Sequence, residues 1–153
     1  MTRVAIDTNI LAYLAGVAHV EADDAKVERA RALIEDMSAA TLVAPVQALG
    51  ELLVVLRRAG LPAEKARETI ADLIETFETP ASEPRTALGA LDLAVDHKLQ
   101  FWDALIFTAA ADAGCTLLLS EDMQHGFVSR GMTVLNPFAE PTHPKLAALL
   151  ADD

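Results

Sequence analysis

Four short apolar runs constrain this chain most: RVAI at 3–6, TLVA at 41–44, TLLL at 116–119 and MTVL at 132–135. None alternates apolar with polar residues, so each reads as a strand buried on both faces rather than as the rim of an open sheet. The segments between them carry helical signals. Val27, Ala30, Leu33, Ile34 and Met37 recur at helical spacing within 21–38. Further helices are predicted over 8–15, 46–59, 63–78, 86–98 and 102–113, with a last one at 144–151. Gly60 and Gly114 stand where two of them stop. A turn with a short extended piece is expected around 80–85. Strands of this kind alternating with helices build an α/β three-layer sandwich: a short central parallel sheet with helices on both faces. Sites in such sheets lie at the carboxyl ends of the strands.

The chain has 153 residues, which suits one compact domain, and 52% of them are apolar, enough for a real core. The tail from about 139 to 153 is expected to add a short helix of its own. Twelve basic and 23 acidic residues give a net charge of -11, which argues against a nonspecific nucleic-acid binder and leaves room for a cation or a basic partner. Arg57, Arg58, Lys65 and Arg67 are the local exception, and read either as a solvated helix surface or as a functional basic patch. The lone Cys115 cannot form an internal disulfide and reads as a buried thiol. No apolar run approaches the roughly 18 residues of a bilayer span, and Asp7 interrupts the N-terminal run before a signal sequence can form. The expected location is cytoplasmic, without membrane attachment.

Four acids sit where an acid is uncomfortable. Asp7 ends the first apolar run, and Asp122 follows the third, so a parallel sheet brings both to one edge. Glu51 shares a helix face with Ala48, Val54 and Val55, and Asp103 shares one with Ile106 and Phe107. Each has a plainer alternative. Asp7 and Asp103 could cap helices, Asp122 could serve a turn, and Glu51 could pair with Arg57 or Arg58. If the four converge they cannot all stay ionised without compensation, and an all-carboxylate set suits Mg²⁺ or Mn²⁺. Zinc is disfavoured by a single cysteine and by four scattered histidines, His19, His97, His125 and His143; His125, near Asp122, reads as a surface residue or an outer support of the site. A carboxylate-held Mg²⁺ is well suited to phosphodiester hydrolysis.

The stretches AIDTNILAYL, ELLVVLRR, FWDALIFTAAADAGCTLLLSEDMQHG and VLNPF resemble the PIN-domain ribonucleases, and more narrowly the VapC-type toxins of bacterial toxin–antitoxin pairs. The resemblance runs from residue 3 to about 138. It implies a sheet ordered 3-2-1-4-5 and a metal-dependent endoribonuclease. Asp7, Glu51, Asp103 and Asp122 take the acidic positions, and Thr8, Asn9 and Ser120 take supporting ones. Glu121 either helps or faces away. Gln47 departs from the Ser or Thr that relatives often show one turn before the glutamate. The activity implied is water attack on RNA leaving a 5′-phosphate and a 3′-hydroxyl, with Arg57, Arg58, Lys65 and Arg67 as candidate RNA contacts. Implied partners are a small antitoxin and a second copy in a homodimer. Two rival readings are a catalytically silent PIN fold that only binds RNA or protein, and a haloacid-dehalogenase-like phosphatase. The phosphatase would need an Asp where Asn9 stands.

Overall fold

The computed structural model describes residues 1–17 and 23–152. The apolar runs become strands β1 (Arg3–Ile6), β2 (Thr41–Val43), β3 (Leu117–Leu119) and β5 (Met132–Leu135), and a two-residue strand, β4 (Val128–Ser129), precedes the last. Val4, Ala5, Ile6 and all of β3 and β5 are buried. Successive strand residues point to opposite faces, so burial of every residue means that both faces of the central strands are covered.

The helices are α1 (Thr8–Leu14), α2 (Asp24–Asp36), α3 (Val46–Arg58), α4 (Ala63–Thr76), α5 (Pro84–His97), α6 (Phe101–Asp112) and α7 (Pro144–Ala151). Their bounds follow the sequence expectation within a few residues. The first residues of the predicted 21–38 helix, and His19, fall outside the described residues. Every residue of α6 from Ala104 to Ala110 is buried, which makes it the interior helix. Gly89 on α5 permits its close packing: a Cβ there would stand 3.2 Å from Thr108 Cγ2 on α6. The tail joins the core through buried Leu146 and a Lys145 Nζ–Thr133 Oγ1 hydrogen bond of 2.7 Å. Among the described residues no helix is long and apolar enough to cross a membrane.

The sheet corrects the expected topology. Its order is β2-β1-β3-β5-β4 and it is mixed, not the wholly parallel 3-2-1-4-5 sheet. β1 pairs in parallel with β2 and β3, and β3 with β5, but β4 runs antiparallel to β5. Both edges explain the difference. Beyond β2 the expected strand shrinks to one parallel bridge, Val43 to Glu78. Helix α4 runs to Thr76 and Pro80 follows at once, leaving too few residues to extend a ladder. At the other edge the chain folds back through the turn at Arg130 and Gly131, both at positive φ, and forms the β4–β5 hairpin.

Candidate functional site

Asp7 is the last paired residue of the first strand: its N–H donates to Leu119 O at 2.9 Å, carrying the β1–β3 ladder one step past Ile6. Its side chain caps α1, with Oδ1 accepting from Thr8 N at 2.7 Å. Oδ2 accepts from Ser120 Oγ at 2.7 Å, and the same hydroxyl accepts from Met123 N at 3.1 Å. The capping alternative is therefore correct but incomplete, because this cap is only 4% exposed. Burial pushes its carboxyl up to about 6; the Ser120 and Thr8 hydrogen bonds oppose that rise, and Asp103 and Asp122 add to it.

The other acids arrive from separate elements. Asp103 lies in the first turn of α6, where Gln100 is the N-cap, so it is not a cap. It is half-buried, and burial, then Glu51, then Asp122, raise its carboxyl above the ordinary value. Glu51 points out of α3, and neither Arg57 nor Arg58 pairs with it among the described residues. Instead its oxygens accept from Thr8 Oγ1 at 3.1 Å and Gln47 Nε2 at 3.3 Å. Gln47 thus supports the glutamate from one turn away with an amide in place of a hydroxyl. Asp7, Glu51, Asp103 and Asp122 are linked by mutual repulsion across β1, α3, α6 and the loop after β3. Among the described residues no three Asp, Glu, His or Cys side chains form a ready-made metal cluster. The donor set nonetheless suits a hard divalent cation in kind: all oxygen, one member nearly dry, and repelling its neighbours.

A cavity of about 650 Å³ opens beside these acids. One face of α3 lines it with Glu51, Val54, Val55 and Arg58, residues that recur at helical spacing. Thr8, Asn9 and Tyr13 of α1, Trp102 of α6, and Glu121 and Asp122 complete much of the wall. Asn9 Oδ1 accepts from Glu121 N at 3.3 Å, while its buried Nδ2 has no partner among the described residues.

Residues 4–128 match the family model described as the PIN domain. The chain belongs to the PIN-domain family. A comparison with curated protein sequences finds no match. Solved structures share the fold. A toxin–antitoxin complex from Klebsiella pneumoniae matches with a TM-score of 0.66 at 18% identity, over 88% of this chain and 98% of that one. Mycobacterium tuberculosis VapC20, a sarcin–ricin loop cleaving toxin, matches with a TM-score of 0.63 at 20% identity, over 78% and 89%. VapBC2 from Rickettsia felis, bound to a promoter DNA fragment, matches with a TM-score of 0.62 at 13% identity, over 87% and 97%. The PIN fold here is thus related to that of the VapC-type toxins.

Within this PIN domain the two adjacent acids after Ser120 part company. Glu121 accepts from Tyr13 Oη at 2.7 Å and Lys26 Nζ at 2.6 Å, which occupies both of its oxygens. The Lys26 ammonium also lies over the rings of Tyr13 and Phe138, at 5.9 and 5.5 Å. Burial, then the Glu121 bond, push the Tyr13 hydroxyl well above its usual range, so it stays a donor. Asp122 is exposed and has no such clamp among the described residues. No sequence pattern signals Lys26, which meets Glu121 across 95 positions.

The four basic residues are placed differently. Arg57 donates to Leu61 O at 2.7 Å and finishes the turn after α3. Lys65 pairs with Glu68 at 3.6 Å, and Arg67 borders an apolar groove with Leu53, Ile70 and Ile74. Arg58 alone of the four lines the cavity. Trp102 was overlooked as a wall residue, although its place beside Asp103 in FWDAL was a usable signal. His125 is an exposed support of the chain, accepting from Asn136 N at 2.8 Å, and Cys115 is a buried free thiol.

Proposed function

We propose that this PIN domain is a Mg²⁺- or Mn²⁺-dependent endoribonuclease and the toxin of a toxin–antitoxin pair, acting in the cytoplasm on RNA. One observation carries the reading: four carboxylates from four separate elements repel one another at the carboxyl edge of the sheet, and the buried member is pushed up to about 6. Capping α1 accounts for Asp7 alone and gives no reason for Asp103 and Asp122 to stand near it, since like charges beside a buried carboxylate are costly. Supporting it, one structural relative is described as cleaving the sarcin–ricin loop, and others are toxin–antitoxin assemblies.

Asp7, Glu51, Asp103 and Asp122 would hold the cation. When bound, such an ion neutralises charge on the phosphodiester and makes water a competent nucleophile near neutral pH. The protein's own residues keep the site in shape. Ser120 and the Thr8 N–H fix the two oxygens of Asp7, and Thr8 and Gln47 hold those of Glu51. Asn9 fixes the loop that carries Asp122, and its buried Nδ2, without a partner among the described residues, is left to a water. The acidic surface suits a basic antitoxin segment, and a homodimer would extend the RNA groove.

The test is cleavage of total cellular RNA by purified protein in Mg²⁺, Mn²⁺ or EDTA, beside Asp7→Asn and Asp103→Asn. Discrete fragments that need metal and vanish in both variants support the reading, and mapping their ends gives the target. No cleavage in any metal favours the silent, binding-only PIN fold. Equal cleavage by all three proteins points to a contaminant and removes the site assignment.

A further inference from the structure

Trp102 is the only tryptophan of the chain, and its side chain is 54% exposed on the wall of the acidic cavity. It precedes Asp103 in the first turn of α6, and it shares the cavity wall with Glu51 and Asp122 of the four acids. Phe101 braces it edge-on, with centroids 5.1 Å apart. Apolar side chains of Ala12, Val54 and Val55 continue the wall. Arg58 stands two turns along α3 from Glu51 on the same face, with no ion pair among the described residues. The cavity thus runs from carboxylates, past an aromatic and apolar surface, to one uncommitted guanidinium.

That sequence of chemistries is the one a single strand of nucleic acid presents: phosphate, base, phosphate. We infer that Trp102 stacks an unpaired base adjoining the phosphate held at the acidic cluster, and that Arg58 contacts the next phosphate. This rests on the nuclease reading of the same site. A base in a duplex has both faces covered by its neighbours, so only an unpaired one offers a face to the indole. A basic, apolar peptide would also meet the aromatic wall, and the test below separates it from a nucleic-acid strand. With the cation of the nuclease reading at the acidic cluster, Arg58 adds a second positive charge on the same wall, and the two together suit an anionic occupant.

The single tryptophan makes the test direct. A short random-sequence single-stranded RNA is titrated into the protein in Ca²⁺, which supplies a cation at the acidic cluster while Mg²⁺ and Mn²⁺ are withheld, and tryptophan fluorescence is followed, with the length of the strand checked afterwards. Saturable quenching by the single strand, and none by the same RNA annealed to its complement, is expected. Labelled-strand anisotropy should show Trp102→Leu binding roughly 5- to 150-fold more weakly. Trp102→Phe should recover part of the loss, which a folding defect would not. Arg58→Gln should reduce the salt slope of binding by about one phosphate contact. Binding seen by anisotropy without quenching, or unchanged affinity in Trp102→Leu, would overturn the inference. So would quenching by a Lys/Leu-rich helical peptide that the RNA cannot displace. The two levels fail separately. Full metal-dependent cleavage by Trp102→Leu removes the stacking role and leaves the nuclease. Strand binding that needs Trp102, in a protein that cuts no RNA, removes the nuclease and leaves the stacking surface.

Discussion

Strand β1 carries a charge at each end, and the two ends are treated in opposite ways. At its start, Arg3 donates through Nε to Ala113 O at 2.7 Å and pairs with Glu78, so its charge is answered on the spot. Nearby, Lys145 donates to Thr133. At its finish, Asp7 is buried, and the charged neighbours acting on it, Asp103 and Asp122, have its own sign. At the amino edge Arg3 meets its complement in Glu78. At the carboxyl edge Lys26 answers Glu121, whereas Asp7 has like charges as the neighbours acting on it. Burial adds to the contrast: Glu78 is exposed, whereas Asp7 gives up most of its hydration.

If the carboxyl edge is the working one, its acids should fail first in activity. Asp103→Asn should reduce metal-dependent RNA cleavage by roughly 10²–10³-fold, the loss typical of removing one group that stabilises developing charge, measured as initial rates at saturating Mg²⁺. Ser120→Ala leaves the four acids in place but frees Asp7 Oδ2. A supporting residue of this kind is worth about 10–100-fold in metal affinity, which a Mg²⁺ titration of cleavage would read. The adjacent pair sharpens the comparison further. Asp122→Asn should lose cleavage as the other acids do. Glu121→Gln, committed to Tyr13 and Lys26, should stay within severalfold of wild type. Equal losses from the two would mean that Glu121 leaves its clamp. The smallest effect belongs to the amino edge. Arg3→Met should lower stability by about 1 kcal/mol or less, as an exposed pair does, with cleavage rates unchanged.

Much of this was legible in the sequence because it is local. The four apolar runs fixed the central strands, and the helices followed from periodicity and from stops such as Gly60 and Gly114. Asp7, Glu51 and Asp103 were visible because each breaks an apolar pattern. Sheet edges were not legible. β4 is two residues long with Val128 exposed, so it carries no pattern to read. The missing edge strand beyond β2 depended on where α4 ended relative to Pro80. Pairings across the fold were equally hidden: nothing in the sequence ties Lys26 to Glu121, or separates Arg58 from Arg57. Sequence proximity groups the four basic residues, but it does not show that Arg57 completes a turn while Arg58 lines the cavity.

Asp7 also sets how stability should depend on pH. Its carboxyl is raised from 3.8 to about 6, so the protonated form suits the fold. Its contribution is therefore fully present below about 3.8 and is lost as pH rises through about 6. Above that range the ionised group costs the metal-free protein about 3 kcal/mol, and Asp7→Asn should recover part of it.

The most direct measurement is the thermal midpoint of wild type and Asp7→Asn near neutral pH, each in EDTA and in excess Mg²⁺. The expected result has three parts: Asp7→Asn more stable than wild type in EDTA, a rise in the wild-type midpoint with Mg²⁺ because the ion binds only the native state, and little or no rise in the variant. A wild type indifferent to Mg²⁺, with Asp7→Asn less stable than it in EDTA, would contradict the account. Asp7 would then be a helix cap that the fold needs as an acid, with no cation to answer it.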